Sequence, residues 1–406
     1  MRAWRAVVVL LGITVASSDV AAAQGSDAAL LERARRLLRE VPLIDSHNDL
    51  PTALIGANGG DLSKLDPDGP LPQLDTDFPR LAKGGIGAQF FAAYVASSYI
   101  ESGGAQQARE QIALIRKFID ASPRLELAKT ADDIVRIHKA GKIASLIGIE
   151  GGHAIEGSLE RLREFYDLGV RYITLTHSGT TPWADAATDK AKHGGLSSFG
   201  EEVVREMNRL GIMVDISHVS DATMSDALRV SRAPVIFSHS SARALADHVR
   251  NVPDSILAKM PANGGVVMVN LFPGFINRTA AKQAANVLQK EQELNVKYPN
   301  DPDRAAREFV TWLSTFKTED ATLAEVADHI DHIRKVAGVD HVGLGADYGA
   351  VPQHPLGLED VSRFPYLIAE LLRRGWSDDD VKKFMGLNML RVMRTVEQRR
   401  SDGQTG

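Results

Sequence analysis

Six short apolar runs in this chain each end in histidine, aspartate or glutamate. The first is "LIDSHNDLP" (43–51), where Asp45, His47 and Asp49 lie two residues apart. In a strand such residues share a face. Ionisable groups gathered on one face are costly unless they are solvated, paired or holding a metal. The same kind of ending recurs at Glu150 ("IGIEGGH"), His177 ("TLTHS"), His218 ("DISHVS"), His239 ("FSHSS") and Asp347 ("LGADY"). A lone histidine at a strand end reads as a hydrogen-bonded structural residue, but that reading would have to hold six times over. Histidine and carboxylates without cysteine suit a catalytic zinc site with open positions better than a closed structural one. One carboxylate bridging two metals would allow a two-metal clamp on a hydrolytic water.

The elements that must position these residues are legible as apolar runs at 43–48, 86–95, 143–149, 171–176, 212–217, 234–238, 265–271 and 341–346. Helical patterns lie between them, for example at 107–120, 131–140, 157–168, 198–210 and 221–230. Near-continuous apolar strands alternating with helices indicate a parallel sheet covered on both faces. Eight of them predict an α/β fold of the (β/α)8 barrel type, in which every strand's carboxyl end meets on one rim. Residues 277–320 read as a polar helical insertion between the seventh and eighth strands, and 360 to about 397 as helices on the outside of the barrel.

The chain has 406 residues, 44% hydrophobic, and a formal net charge of −5, enough for a large core. With no dense Lys/Arg run, nucleic acid is not the expected partner. Arg2, Arg5, the apolar "AVVVLLGITVA" (6–16) and "AAA" (21–23) read as a signal peptide, residues 1–23, removed on export. The mature chain is then expected as one catalytic domain over 24–400 with a disordered tail at 401–406, periplasmic or secreted and without a membrane span. The absence of cysteine excludes disulfides, thiolate metal sites and cysteine nucleophiles.

Longer motifs carry a resemblance. They include "IDSHNDLP", "IEGGHAIEGSLERLREFYDLGVRYITLTHSGTTPWAD", "FGEEVVREMNRLGIMVDISHVSDATM", "PVIFSHSSARAL", "RNVPD" and "ADHIDHIRKVAGVDHVGLGADY". From Val41 to about Gln398 the chain resembles the membrane (renal) dipeptidase family of zinc dipeptidases, metal-dependent hydrolases on an amidohydrolase-type barrel. The resemblance implies two Zn2+ ions per subunit, one held by His47 and Asp49, the other by His218 and His239, with Glu150 bridging them. It further implies that Asp347 is the acid/base, that His177 hydrogen-bonds the substrate carbonyl, and that Arg250 ("HVRNVPD") clamps the free C-terminal carboxylate of a dipeptide. A C-terminal D-residue would be tolerated, and the chain would form a non-covalent homodimer.

Asp45 has no metal role in that pattern and reads either as orienting a ligand histidine or as structural. His153 reads as supporting the ligands or as packing, and His193 as a loop residue at the mouth. His138, His248, His329, His332, His341 and His354 read as surface or packing residues. Trp183 and Asp185 read as lining the entrance or building a turn. Where relatives often carry Asp-Phe-Asp-Gly, this chain has Asp347-Tyr348-Gly349-Ala350. The competing readings are an amidohydrolase acting on another small amide or a β-lactam, and a non-catalytic exported binding protein.

Overall fold

The computed structural model describes residues 27–402 apart from 65, 67 and 352. The signal-peptide expectation therefore lies outside the described residues, as does the tail from 403. The described residues form nine strands: β1 (Leu43–Asn48), β2 (Ile86–Tyr94), β3 (Leu125–Leu127), β4 (Ile143–Glu150), β5 (Val170–Thr174), β6 (Met213–Asp215), β7 (Ile236–Phe237), β8 (Val266–Val269) and β9 (Val342–Leu344). Every pairing is parallel. Eight of the strands close a ring in the order β1–β2–β4–β5–β6–β7–β8–β9 and back to β1. This is the (β/α)8 barrel that the alternating runs predict. The ninth strand, β3, was not anticipated. It pairs only with Ile143–Ser145, at the amino end of β4.

Strand alternation decides which residues reach the barrel interior. In β4, Ala144 and Leu146 pack with Tyr172, Met213, Ile236 and Met268, whereas Ile147 and Ile149 join the larger cluster shared with the helices. The period of two therefore turns Glu150 toward the interior at the carboxyl rim. Gly148, on the same face, is required there: a Cβ at this position would lie 2.0 Å from the Tyr172 ring. The tyrosine crosses the barrel floor only because its register partner on β4 has no side chain.

The connecting helices begin where their sequences provide caps. Thr130 with Asp133, and Thr322 with Glu325, form capping boxes, while Ser197 and Ser220 cap the helices Ser198–Leu210 and Asp221–Val230. Each such cap satisfies otherwise orphaned N–H groups and contributes about 1 kcal/mol.

Between β8 and β9, the 277–320 insertion forms the helices Arg278–Lys297 and Pro302–Leu313. The first is fastened to two loops of the carboxyl rim. Ser97, just after β2, donates to Glu291 Oε1 at 2.6 Å and accepts from Asn295 at 3.1 Å. Gln292 donates to the Thr188 carbonyl, in the loop after β5, at 2.8 Å. No helix among the described residues is long and apolar enough to cross a membrane.

Candidate metal centre

The carboxyl rim gathers the eight residues singled out in the sequence. Glu150 Oε1 lies 2.9 Å from His218 Nε2, 3.3 Å from His239 Nε2, 3.7 Å from His47 Nε2 and 4.0 Å from His177 Nε2. His47 Nε2 is 3.2 Å from Asp49 Oδ2 and 3.8 Å from Asp347 Oδ1. Arg250 is buried beside them, donating to Ser240 Oγ and to the His239 carbonyl at 3.3 Å each. Its guanidinium stands over the Phe275 ring. Only His177 is partly open, with 15% of its side chain exposed.

Local backbone geometry aims two of these side chains. Among the described residues, three non-glycine residues have positive φ: Glu156, His218 (66°) and Asp347 (65°). Left-handed backbone costs an L-residue on the order of 1–2 kcal/mol, and such strain collects at functional sites. Here it folds the chain back three residues past the ends of β6 and β9, turning His218 and Asp347 toward the other site residues.

Buried hydrogen bonds orient the imidazoles. Ser238 Oγ donates to Asp215 Oδ2 at 2.6 Å, so its proton is committed, and it accepts from His239 Nδ1 at 2.8 Å. The His239 proton therefore sits on Nδ1, leaving the Nε2 lone pair facing Glu150. Asp215 also accepts from Ser217 N, Ser238 N and the Thr174 hydroxyl. His47 Nδ1 lies 2.8 Å from the Tyr172 hydroxyl. Asn270 Nδ2 donates to Asp347 Oδ2 at 2.8 Å. Tyr172, Asp215, Ser238 and Asn270 were not singled out in the sequence. A strand tyrosine or serine carries no signal of its own, but Asp215, three residues before His218 in an apolar run, was a readable one.

Charges in this space do not balance by themselves. Asp49, Glu150 and Asp347 are buried within reach of one another, with His47 and Arg250 as the nearby cationic partners. Burial pushes the Asp347 carboxyl up to about 7, reinforced by the Asp49 and Glu150 charges; Asp49 is raised by burial as well. Glu150 is held well below the usual carboxylate range because His47, His177, His218 and His239 outweigh its burial. Burial drives His218 and His239 well below the ordinary histidine value, and lowers Arg250 to about 10. Neutral imidazoles beside crowded carboxylates are a set of donors awaiting a cation.

The donor set fits a metal. His47 Nε2 and Asp49 Oδ2 are buried without a hydrogen-bond partner, and His218 Nε2 faces His239 Nε2 at 2.8 Å. Three overlapping groups could each surround an ion: His47, Glu150 and His239; Glu150, His177 and His218; and His47, Asp49 and Asp347.

The remaining residues fall outside this set. Asp45 does not touch the His47 ring. Its Oδ1 accepts from the backbone N–H of His47 and of Ala346, clipping β1 to β9, so the structural alternative applies. His153 is buried, 3.0 Å from the Ala96 carbonyl, and burial lowers it to about 4. Asp185 accepts from the backbone of Lys192, His193 and Gly195 and shapes their loop. Trp183 is buried in the core. His193 approaches the Thr181 carbonyl at 3.1 Å within that loop region.

Residues 31–405 match the membrane dipeptidase family, peptidase family M19. Dipeptidase 3 of Rattus norvegicus is 42% identical over 378 residues, covering 92% of this chain and 69% of its own. Dipeptidase verJ of Clonostachys rogersoniana is 40% identical, covering 91% and 87%. Among solved structures, the probable dipeptidase PvdM from Pseudomonas aeruginosa superposes with a TM-score of 0.76 at 26% identity, over 92% of this chain and 99% of that one. A metallo peptidase from Rhodobacter sphaeroides, liganded with a phosphinate mimic of the dipeptide L-Ala-D-Ala, gives 0.69 at 25% identity, over 88% and 99%. The fold and the rim of buried imidazoles and carboxylates define a metal-dependent hydrolase built on a (β/α)8 barrel. The chain belongs to the membrane dipeptidase family, M19, and is a metallo-dipeptidase.

Proposed function

We propose that this chain is an exported dizinc dipeptidase that hydrolyses dipeptides bearing a free C-terminal carboxylate. The observation that carries the reading is the single oxygen, Glu150 Oε1, with three histidine Nε2 atoms between 2.9 and 3.7 Å from it. In this reading His47 and Asp49 would hold one zinc and His218 and His239 the other, with Glu150 shared between the two. Zinc bound there would supply Lewis acidity, lowering the pKa of water and polarising a carbonyl.

The chain's own groups do the rest. Asp347, 3.8 Å from His47 Nε2, takes the proton of the attacking water and returns it to the leaving amine. Asn270, bonded to its other oxygen, fixes its orientation. His177, the most open of the site histidines, hydrogen-bonds the substrate carbonyl and the developing oxyanion. Arg250 clamps the C-terminal carboxylate with its forked guanidinium, whose Nε has no partner of its own. The dipeptide mimic bound by the Rhodobacter sphaeroides relative supports tolerance of a C-terminal D-residue. The signal-like sequence of residues 1–23 supports export, and a non-covalent homodimer completes the proposal.

The test is metal stoichiometry on the purified mature protein together with amino-acid release from L,L- and L,D-dipeptides. Two zincs with chelator-sensitive cleavage is the expected result. Two metals without dipeptide turnover would move the substrate to another small amide, and no metal would end the proposal.

A further inference from the structure

The inserted helix Arg278–Lys297 brings against the β2 side of the rim one carboxylate side chain that no step so far uses. Glu291 is 5% exposed. Its Oε1 accepts from Ser97 at 2.6 Å, while Oε2 is buried with no hydrogen-bond partner. A buried carboxylate oxygen left in that state costs free energy that a cationic donor would recover.

Ring order says where this oxygen stands relative to the rest of the site. In the eight-strand ring, three strands separate β2 from β7 in either direction, so the two are diametrically opposed. Arg250 is anchored to His239 and Ser240, directly after β7. Glu291 is anchored to Ser97, directly after β2. On the same side of the rim, at the end of β2, Tyr94 meets the His177 ring edge-on at 4.9 Å between centroids. Burial and the negative charges of Glu291, Glu150 and Asp49 keep its hydroxyl protonated, so this tyrosine lies within electrostatic reach of Glu291 and of the metal-site carboxylates alike.

A dipeptide has a carboxylate at one end and an ammonium at the other, about 7 Å apart when extended. With the carboxylate on the β7 side and the scissile carbonyl over Glu150 and His177, the ammonium points toward β2. We propose that Glu291 binds the free α-ammonium group of the substrate's first residue, so that the inserted helix reads the amino end as Arg250 reads the carboxyl end. The assignment rests on the dipeptidase reading above. It gives two-ended length selection: a third residue on either side would bury an uncharged amide against an unpaired ion.

The experiment compares Ala-Ala with its des-amino analogue, propanoyl-alanine, on the metal-loaded full chain and on Glu291→Gln. Glutamine keeps an acceptor for Ser97 and removes the charge. Wild type should prefer Ala-Ala by about 10- to 100-fold in kcat/KM, the scale of one charge-assisted hydrogen bond. In Glu291→Gln the preference should collapse toward unity through a raised KM for Ala-Ala, with propanoyl-alanine little changed. Equal use of both substrates by wild type, or a preference retained in the variant, overturns the proposal. If the glutamine variant lacks a cooperative thermal transition, Glu291→Asp, which sets the charge back by one methylene, must show an intermediate preference; an unaltered one overturns the proposal equally. Failure of wild type to cleave any dipeptide would instead overturn the substrate reading.

Discussion

Tyr172 on β5 reaches across the barrel to place its hydroxyl 2.8 Å from His47 Nδ1 on β1. The contact fixes the imidazole's rotation with Nε2 turned toward Asp49 and Glu150. It depends on Gly148, since any Cβ there would overlap the tyrosine ring. Partners of this kind typically govern metal affinity by about 10- to 100-fold. Tyr172→Phe should therefore weaken metal binding by that order, with kcat at saturating metal much less affected. Competition against a chelator of known affinity measures it. Gly148→Ala should produce the same metal loss and a stability loss of roughly 1–3 kcal/mol from overpacking.

The backbone N–H of Asp347 donates to the His47 carbonyl at 3.0 Å, while its carboxylate accepts at Oδ2 from Asn270. Asp347→Asn should keep most of the bound metal while kcat falls by about 10²- to 10⁴-fold, the range expected for a positioned general acid/base. Metal analysis and steady-state kinetics on the same preparation test this. Loss of metal in proportion to activity would make Asp347 a ligand instead.

Metal removal should destabilise the protein, because Asp49, Glu150 and Asp347 are then left facing one another in a buried space. Chelation should lower Tm, and re-addition should restore it by mass action. Asp49→Asn should have opposite effects in the two states. It should stabilise the metal-free protein, where burial raises the Asp49 carboxyl, and weaken the protein in the presence of metal. Calorimetry with and without chelator separates the two.

His329 provides a pH prediction away from the metal. Its Nδ1 accepts from Ala242 N–H, its Nε2 lies 2.9 Å from the Ile276 carbonyl, and burial lowers it to about 4. The ring is therefore neutral when folded, while the unfolded chain titrates near 6.5. Above about pH 6.5 both states are neutral and the residue contributes no pH dependence. As pH falls from about 6.5 to about 4, only the unfolded chain takes up the proton. Stability then declines, by on the order of 3 kcal/mol at most. His329→Gln should flatten the acid limb of Tm against pH in that window, and an unchanged limb would assign the titration elsewhere.

Much of this architecture was legible because six of the eight barrel strands belong to apolar runs that end in a residue of the wrong polarity for a core. Leu125–Leu127 was not legible: Leu-Glu-Leu is too short to show a pattern. Strand ends were read too long at 171–176, 212–217 and 234–238, where the ladders stop at Thr174, Asp215 and Phe237. The reason is physical. Beyond those points the backbone turns to side chains, with Ser217 N and Ser238 N donating to Asp215 and His239 N donating to Ser217 Oγ. That exchange frees the strand ends to curl into left-handed backbone and present a side chain to the axis. The histidines and carboxylates of the rim announce themselves by type. Tyr172 and Gly148 do not, because a tyrosine in "RYITLT" reads as ordinary core and the glycine's meaning exists only in register with it.

The seam between β1 and β9 has a consequence for the order of events in the life of the chain. His47 and Asp49 lie at one edge of the growing sheet, and the Asp45 carboxylate waits for the N–H of Ala346, 301 residues later. A ribosome that has released residue 340 has delivered every candidate ligand except Asp347, yet the cylinder is still an open, curling sheet. Metal capture with the full set of buried donors must therefore follow the last strand, so occupancy reports on completed molecules, and a chain cut before Val342 should be unable to imitate one.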